Sequence, residues 1–340
     1  MYEDSASLSG RGTPSVQTLP LPADKPGRDR RVVVTGAAGF VGTHACRALA
    51  NDGWKVLALV RNPAKAAERL GHLPVEIRVG DLLDAPYLRS SLDGASAVVH
   101  LAAVAIERDG DSYQSANVDT TRAVLDAAAA ARVPRIVHMS QNGSDSASRF
   151  RFLKSKGEAQ DIVAASSLEW TILRPSVIFG PEDAFVNVLA RVVRLTPVVL
   201  PLPGNGNSRF QPIAVADVAA VIARALADDS TQRVMFPLGG PAPLTLREMA
   251  ERILVAMGAR RQIIGIPTGA MRPVVSLIAH LLPKPPVTPE LLDTLAIDNT
   301  VPDNTITTVF GIRPAPFAPE ELLYLRRITA GGALGALFTS

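Results

Sequence analysis

Three glycines carry the clearest chemistry in the chain. Gly36, Gly39 and Gly42 stand in "VVVTGAAGFVGTHACRALANDGW", after an apolar run and ahead of a stretch with helical spacing. At that spacing the first glycine allows a tight turn, the second lets the backbone approach a pyrophosphate, and the third lets helix and strand pack closely. Phe40 and Val41 open the helix between the second and third. Its free N–H groups and its dipole would favour phosphate. The expected ligand is a dinucleotide; the bland alternative is a tight strand-to-helix turn that holds nothing.

The choice of cofactor falls to the end of the following strand. A preference for NAD is carried by an acid about 20 residues beyond the glycines, bonded to the ribose hydroxyls. Here Val60 takes that place and Arg61 follows. A guanidinium fork can pair with a 2′-phosphate, so NADP(H) is expected over NAD(H), unless Arg61 is simply a solvated surface arginine. Asp81 and Leu82 in "VGDLLD" are expected at the adenine, with the carboxylate accepting from its amino group. Leu101, Ala102 and Ala103 in "HLAAVA" are expected beneath the ribose and nicotinamide.

These residues need a scaffold, and the periodicity supplies one. The apolar runs "RVVVTG", "KVLALV", "VEIRVG", "ASAVVHLA" and "RIVHMS" alternate with helical stretches such as "SANVDTTRAVLDAAAAARV", which Pro134 stops. Alternation of this kind predicts βαβ units, hence a doubly wound parallel α/β sheet of the Rossmann type, buried on both faces. A sixth strand is expected at "LEWTILRP". Beyond it prolines gather in "TPVVLPLPGNGN", "GGPAPLT", "LLPKPPVTPE" and "IRPAPFAPE", which predicts a smaller C-terminal region for substrate or partner. The expected divisions are a tail over 1–30, the dinucleotide-binding domain over 31–175 with later strands returning to its sheet, the mixed region over 176–330 and a short tail over 331–340.

Two helices of that region can be read in advance. "TLREMAERILVAMG" begins with a Thr245/Glu248 capping box and stops at Gly258. "GAMRPVVSLIAHLLPKPP" is apolar, too short to span a bilayer, and carries Arg272 and Lys284 near its ends. It reads either as a surface that lies on a membrane or covers a quinone-like substrate, or as an ordinary buried helix.

Composition sets the outer limits. With 340 residues, 47% hydrophobic and 20% charged, the chain can bury a sizeable core. A formal charge of +3 without a basic run argues against nucleic acid, while acidic small molecules remain suitable ligands. One cysteine, Cys46, excludes an internal disulfide and a cysteine-based metal site, and fits a reducing compartment. His44, His72, His100, His138 and His280 fall at no metal-ligand spacing, so no metal is expected and most should be satisfied structural residues. The first 30 residues read as a disordered tail. Arg11 and several serines also suit a transit peptide, but Glu3, Asp4, Asp24 and Asp29 do not. No run reaches the ~18 apolar residues of a membrane span, so the expected location is cytoplasmic, with a peripheral place at an inner membrane as the variant.

The succession TGAAGFVG, GDLLD, HLAA, Asn117 in "ANVDTTRAVLDAA" and "LRPSVIFGP" resembles the extended and atypical short-chain dehydrogenase/reductases. The run "LRPSVIFGPEDAFVNVLARVVR", with "LPLPGNGNSRFQPIAVADVA" and "LGGPAPLTLREMAERIL" after it, is similar to the nucleotide-binding accessory subunits of respiratory complex I and their bacterial relatives. The resemblance implies a tightly held NADP(H) and an association with quinone chemistry, a respiratory complex or a membrane surface. It also implies a catalytic Ser, Tyr and Lys. The Tyr would be the proton donor, the Lys would lower its pKa and grip the nicotinamide ribose, and the Ser would orient the substrate.

Ser140 in "HMSQNG" matches the first of these residues and Lys156 in "RFRFLKSKGEAQ" matches the last. Phe152 stands where the tyrosine belongs, and a phenyl ring cannot exchange a proton. Among the remaining tyrosines, Tyr2, Tyr87, Tyr113 and Tyr324, only Tyr113 is expected near the cleft mouth, and packing accounts for it as well. After the sixth strand, Pro175, Ser176 and Val177 are expected at the carboxyl ends of the strands, where nicotinamide and substrate meet, with Gln141, Asn142, Phe179, Asn187 and Gln211 around a substrate. Asn187 and Gln211 read equally as turn residues, and Asp217 as a helix N-terminal residue. Two functions follow: an NADP(H)-binding protein with little or no turnover, or an active NADPH-dependent reductase or epimerase. The second would act on a carbonyl, nucleotide-sugar or quinone-like substrate, with Ser140, Lys156 or a water relaying the proton.

Overall fold

The computed structural model describes residues 30–107, 110–282 and 287–335. The expected N-terminal tail apart from Arg30, together with Lys284 and residues 336–340, lies outside the described residues. Six strands follow the predicted alternation: β1 (Arg31–Thr35), β2 (Lys55–Val60), β3 (Glu76–Val79), β4 (Ala97–His100), β5 (Arg135–Met139) and β6 (Glu169–Pro175). A seventh, Val234–Leu238, returns from the C-terminal region and pairs in parallel with β6. The order across the sheet is Val234–Leu238, β6, β5, β4, β1, β2, β3, every pair parallel. Chain direction across the sheet therefore reverses between β1 and β4, which opens a crevice at their carboxyl ends.

The inner strands bury both faces because successive side chains point in opposite directions, while the edge strand β3 stays partly open, with Val79 exposed. Val32 and Val34 join one core with the helices α1 (Phe40–Asn51), α2 (Pro63–Leu70) and α7 (Val215–Ala227). Val33 joins the other, with Leu57 and Leu59 of β2 and the helices α3 (Ala85–Leu92), α4 (Thr120–Ala130) and α5 (Arg151–Ala164). Cys46 lies fully buried in the first core, where burial pushes its thiol up to about 12. A third core forms apart from the sheet, between α6 (Val186–Leu195) and α8 (Leu246–Met257). Its centre is the edge-on pair Phe179 and Phe317, 5.0 Å apart. Both bonds of the predicted capping box start α8, Glu248 N–H to Thr245 Oγ1 at 3.1 Å and Thr245 N–H to the Glu248 carboxylate at 2.7 Å. Gly258 closes the helix in the left-handed region at φ 62°.

The described residues end in a short helix, Ala330–Gly335. The apolar run near Arg272 forms α9 (Thr268–Leu281), followed by α10 (Pro289–Leu295), but α9 is no buried helix. Val275 is its one buried residue, while Val274, Leu277 and Leu281 are 58, 60 and 71% exposed. Among the described residues no helix is long and apolar enough to cross a membrane.

Candidate cofactor and substrate site

The glycine turn sits on the crevice. Thr35, the last residue of β1, ties the two sides together: its hydroxyl meets His100 Nδ1 at 2.7 Å and accepts from the N–H groups of Leu101 and Ala102 at 3.2 and 3.3 Å. The chain then turns at Gly36, φ 66°, so close to the Ala102 backbone that a Cβ would lie 2.8 Å from its nitrogen. At Gly42 a Cβ would collide with the carbonyl oxygens of Gly36 and Ala37, so helix and turn touch through backbone alone. Gly39 is the N-cap of α1 and offers no side chain to its first N–H groups. Those donors face the crevice uncapped, in a cradle that side chains would fill, which is the donor set a dinucleotide pyrophosphate requires.

Beside the turn opens a cavity of about 870 Å³. Phe40 of the helix opening lines it, and of the residues expected around nicotinamide and substrate so do Leu101, Ala103, Pro175 and Val177, with Ser140, Gln141, Phe152 and Lys156. Lys156 is 5% exposed and donates to the Met139 carbonyl at 2.6 Å. Burial lowers its pKa to about 8. An ammonium has three donors, so two remain for ribose hydroxyls. The Ser140 hydroxyl donates its one proton to Gln160 Oε1 at 3.0 Å and keeps only its acceptor capacity toward the cavity.

Phe152 contributes its ring to the cavity wall and packs on the ring of Tyr113, centroids 5.8 Å apart. Tyr113 is buried and its hydroxyl donates to the Ala105 carbonyl at 3.1 Å, so it replaces no proton donor in this arrangement. Burial, with Glu290 and Glu107 nearby, raises its pKa to about 12. Tyr87 donates to the Arg78 carbonyl and Tyr324 to Asp183, both occupied in structure; Tyr2 lies outside the described residues.

Asn117 holds the frame from behind, within a π-helical turn, Gln114–Asp119. Its side chain accepts from Val104 N–H at 2.8 Å and donates to the Val104 carbonyl and to Ser155 Oγ, which fixes the segment after β4 against α5. Below Lys156 the rings of His100 and His138 stack 5.4 Å apart. His100 is satisfied by Thr35 and Thr121, but neither ring nitrogen of His138 has a partner, contrary to the expectation for buried histidines. Burial first, and the Lys156 charge second, hold both rings neutral, His100 down to about 3 and His138 well below the usual imidazole range.

Beyond the end of β2, Arg61 is engaged by Asp111, Nη1 to Oδ1 at 2.7 Å and Nη2 to Oδ2 at 2.8 Å, with its side chain 60% exposed. Asp81 is exposed and accepts from Leu83 N–H at 2.9 Å, while Leu82 is buried. Val41 and Ala102 pack beneath the turn rather than in the cavity wall.

Residues 36–229 match the profile of the NAD(P)H-binding family. The chain belongs to that family. Among curated relatives of this NAD(P)H-binding protein is NADH dehydrogenase [ubiquinone] 1 alpha subcomplex subunit 9, mitochondrial, of Arabidopsis thaliana, 29% identical over 80% of this chain and 71% of the relative. Another is the ceramide reductase of Caulobacter vibrioides, 35% identical over 56% of this chain and 58% of the relative. Among solved structures, the NADPH-dependent quinone oxidoreductase QOR2 of Escherichia coli shares the fold, with TM-score 0.66 and 20% identity over 85% of this chain and 98% of that one. The resemblance read from the motifs thus holds at the level of the NAD(P)H-binding family, and the chain is similar in sequence to complex I accessory subunits and to reductases.

Four polar or aromatic residues expected around a substrate lie outside the cavity wall of this NAD(P)H-binding chain. Asn142 donates to Asn299 Oδ1 and to the Thr300 carbonyl at 2.8 and 2.9 Å. Phe179 packs in the third core. Asn187 donates to the buried Asp183 at 2.9 Å, and Gln211 bridges the Gly240 carbonyl and Val301 N–H, each at 2.9 Å. The reason is the same for the three amides: each satisfies backbone or a carboxylate that the irregular C-terminal chain would otherwise leave unpaired. The cavity instead draws on residues no motif marked: Ile106, Arg149, Arg151, Phe185, Phe210 and the α10 residues Glu290 and Asp293. Arg151 pairs with Glu107 at 2.8 Å and approaches Glu290, and Arg272 pairs with Asp293 at 2.8 Å, so ion pairs join α9 and α10 to the cavity rim.

Proposed function

We propose that this protein holds NADP(H) at the glycine turn and turns it over weakly or not at all, with a structural, assembly or redox-sensing use. One observation carries the reading: the cavity keeps the buried Lys156 while the place of the proton donor is taken by Phe152. Lys156 retains the donors that grip a ribose whether or not chemistry follows. Arg61 is the group that favours NADP(H) over NAD(H), since its fork suits a 2′-phosphate. The relationship to complex I subunits supports association with a respiratory complex. The exposed apolar face of α9 supports a membrane-surface variant of that placement, peripheral and without a spanning segment.

The second reading, an NADPH-dependent reductase, draws on the cavity itself. Its wall is rich in rings, Phe40, Tyr113, Phe150, Phe152, Phe185 and Phe210, and its volume suits a small carbonyl or quinone-like molecule. Identification of the nucleotide that copurifies, with NADPH consumption measured against a panel of carbonyls and quinones, separates the two. On the binding reading the wild type consumes no NADPH stoichiometrically with any substrate. Phe152→Tyr then leaves NADPH affinity nearly unchanged and creates detectable reductase activity, because it restores the positioned general acid. Robust turnover by the wild type, unimproved by Phe152→Tyr, refutes the binding reading.

A further inference from the structure

The Arg61–Asp111 pair is placed where a merely structural surface ion pair has no reason to be. Arg61 follows β2 and Asp111 follows β4, and β1 with its glycine turn lies between those strands in the sheet. The pair therefore reaches across the carboxyl end of β1, over the crevice that receives the cofactor. Its geometry is bidentate, 2.7 and 2.8 Å, so both forks of the guanidinium that would meet a 2′-phosphate are taken by a carboxylate. Asp111 is the better-covered partner, its side chain 27% exposed against 60% for Arg61. Two residues on, Tyr113 lines the substrate cavity against Phe152, so the carboxylate belongs to the chain segment that walls the second half of the site.

We propose that Asp111 is a specificity-determining residue of the cofactor site: its carboxylate competes with the 2′-phosphate of NADP(H) for Arg61 and leaves NAD(H) untouched. This rests on the reading of Arg61 as the 2′-phosphate ligand. A phosphate dianion entering the Arg61 fork must displace Asp111 or bear its repulsion, and Asp81 is close enough for its charge to act on Arg61 as well. NAD(H) carries only hydroxyls at that position and meets neither cost. Discrimination for the phosphorylated cofactor is thus set by two residues 50 positions apart, Arg61 drawing the phosphate in and Asp111 moderating it.

The test uses the full chain and four probes: NADPH, NADH, 2′-phospho-AMP and AMP, with dissociation constants measured for wild type, Asp111→Asn and Arg61→Ala. Removing the competing charge from an exposed pair should tighten NADPH and 2′-phospho-AMP by roughly three- to ten-fold, with NADH and AMP unchanged. Equal changes for phosphorylated and unphosphorylated probes, as a clasp closing over the pyrophosphate would produce, overturn the proposal; so does no change at all. Arg61→Ala reports on the underlying reading separately. If it leaves NADPH binding unchanged, the 2′-phosphate assignment of Arg61 fails. If it weakens NADPH selectively while Asp111→Asn is neutral, only the role of Asp111 fails.

Discussion

Replacing Lys156 by methionine should make the protein more stable while it weakens the cofactor site. The lysine is buried, and its pKa falls from 10.5 to about 8 through desolvation alone. At 1.36 kcal/mol per pH unit, that fall corresponds to roughly 3 kcal/mol charged against the folded state. Methionine keeps the length and apolar stem of the side chain but gives up the bond to the Met139 carbonyl, worth about 2 kcal/mol for a charged donor. The net gain near neutral pH is then about 1 kcal/mol, a rise of about a degree or two in Tm.

The sign with pH is the sharper part. The folded pKa lies below the unfolded one, so the unfolded chain binds the proton first as pH falls from 10.5 toward 8. The penalty is absent above pH 10.5, grows through that window and is complete below about 8. Lys156→Met should accordingly exceed the wild type in Tm at pH 7, lose that advantage as pH rises, and become about 1 kcal/mol less stable than it past pH 10.5, where the neutral amine still donates to Met139. Thermal unfolding of both proteins across pH 6 to 11, followed by circular dichroism, measures this directly. A variant less stable than wild type at pH 7, or an advantage that persists undiminished at high pH, refutes the argument that burial of the ammonium is uncompensated. NADPH binding by the same variant should weaken by about ten-fold, for loss of one charge-assisted bond to the ribose.

Gly42→Ala places a methyl against the Gly36 and Ala37 carbonyls, so it should cost roughly 1–3 kcal/mol in denaturant unfolding and sharply reduce NADPH binding in titration. Unaltered binding would show that the turn can relax and is not the cradle. Asp217 is buried at the start of α7, accepts from Ala315 N–H at 2.8 Å, and has its pKa raised to about 6, by burial first. Here the folded pKa lies above the unfolded value of 3.8, so the cost is complete above pH 6 and disappears below about pH 4. Asp217→Asn, which keeps an acceptor for Ala315, should gain up to about 2 kcal/mol at pH 7 and nothing at pH 4; equal gains at both would exclude the titration as the cause.

What could be read from the chain alone divides along a physical line. The glycine turn, the strand–helix alternation and the capping box of α8 are local patterns, each enforced by backbone geometry within a few residues, and each appears where its pattern stands. Lys156 and Phe152 could be placed because they share one helix, four residues apart and hence on one face. The substrate wall has no such local signature. Asn142, Asn187 and Gln211 read as ligand contacts from their polarity, but irregular chain must satisfy its own carbonyls and N–H groups first, and these amides, Asn187 from the first turn of α6, do that work. The carboxylate that confronts Arg61 is 50 residues away, and nothing in the spacing of either residue predicts the other.

The apolar pattern of α9 left two readings open, for the opposite reason. Hydrophobicity says that a face seeks cover without saying whether the cover lies in the same chain, and here Val274, Leu277 and Leu281 remain open to solvent. Recognition of the cofactor is therefore written into local sequence, whereas its moderation by Asp111 and the shape of the second ligand's cavity arise only when the sheet order brings the ends of β2, β4 and α5 together.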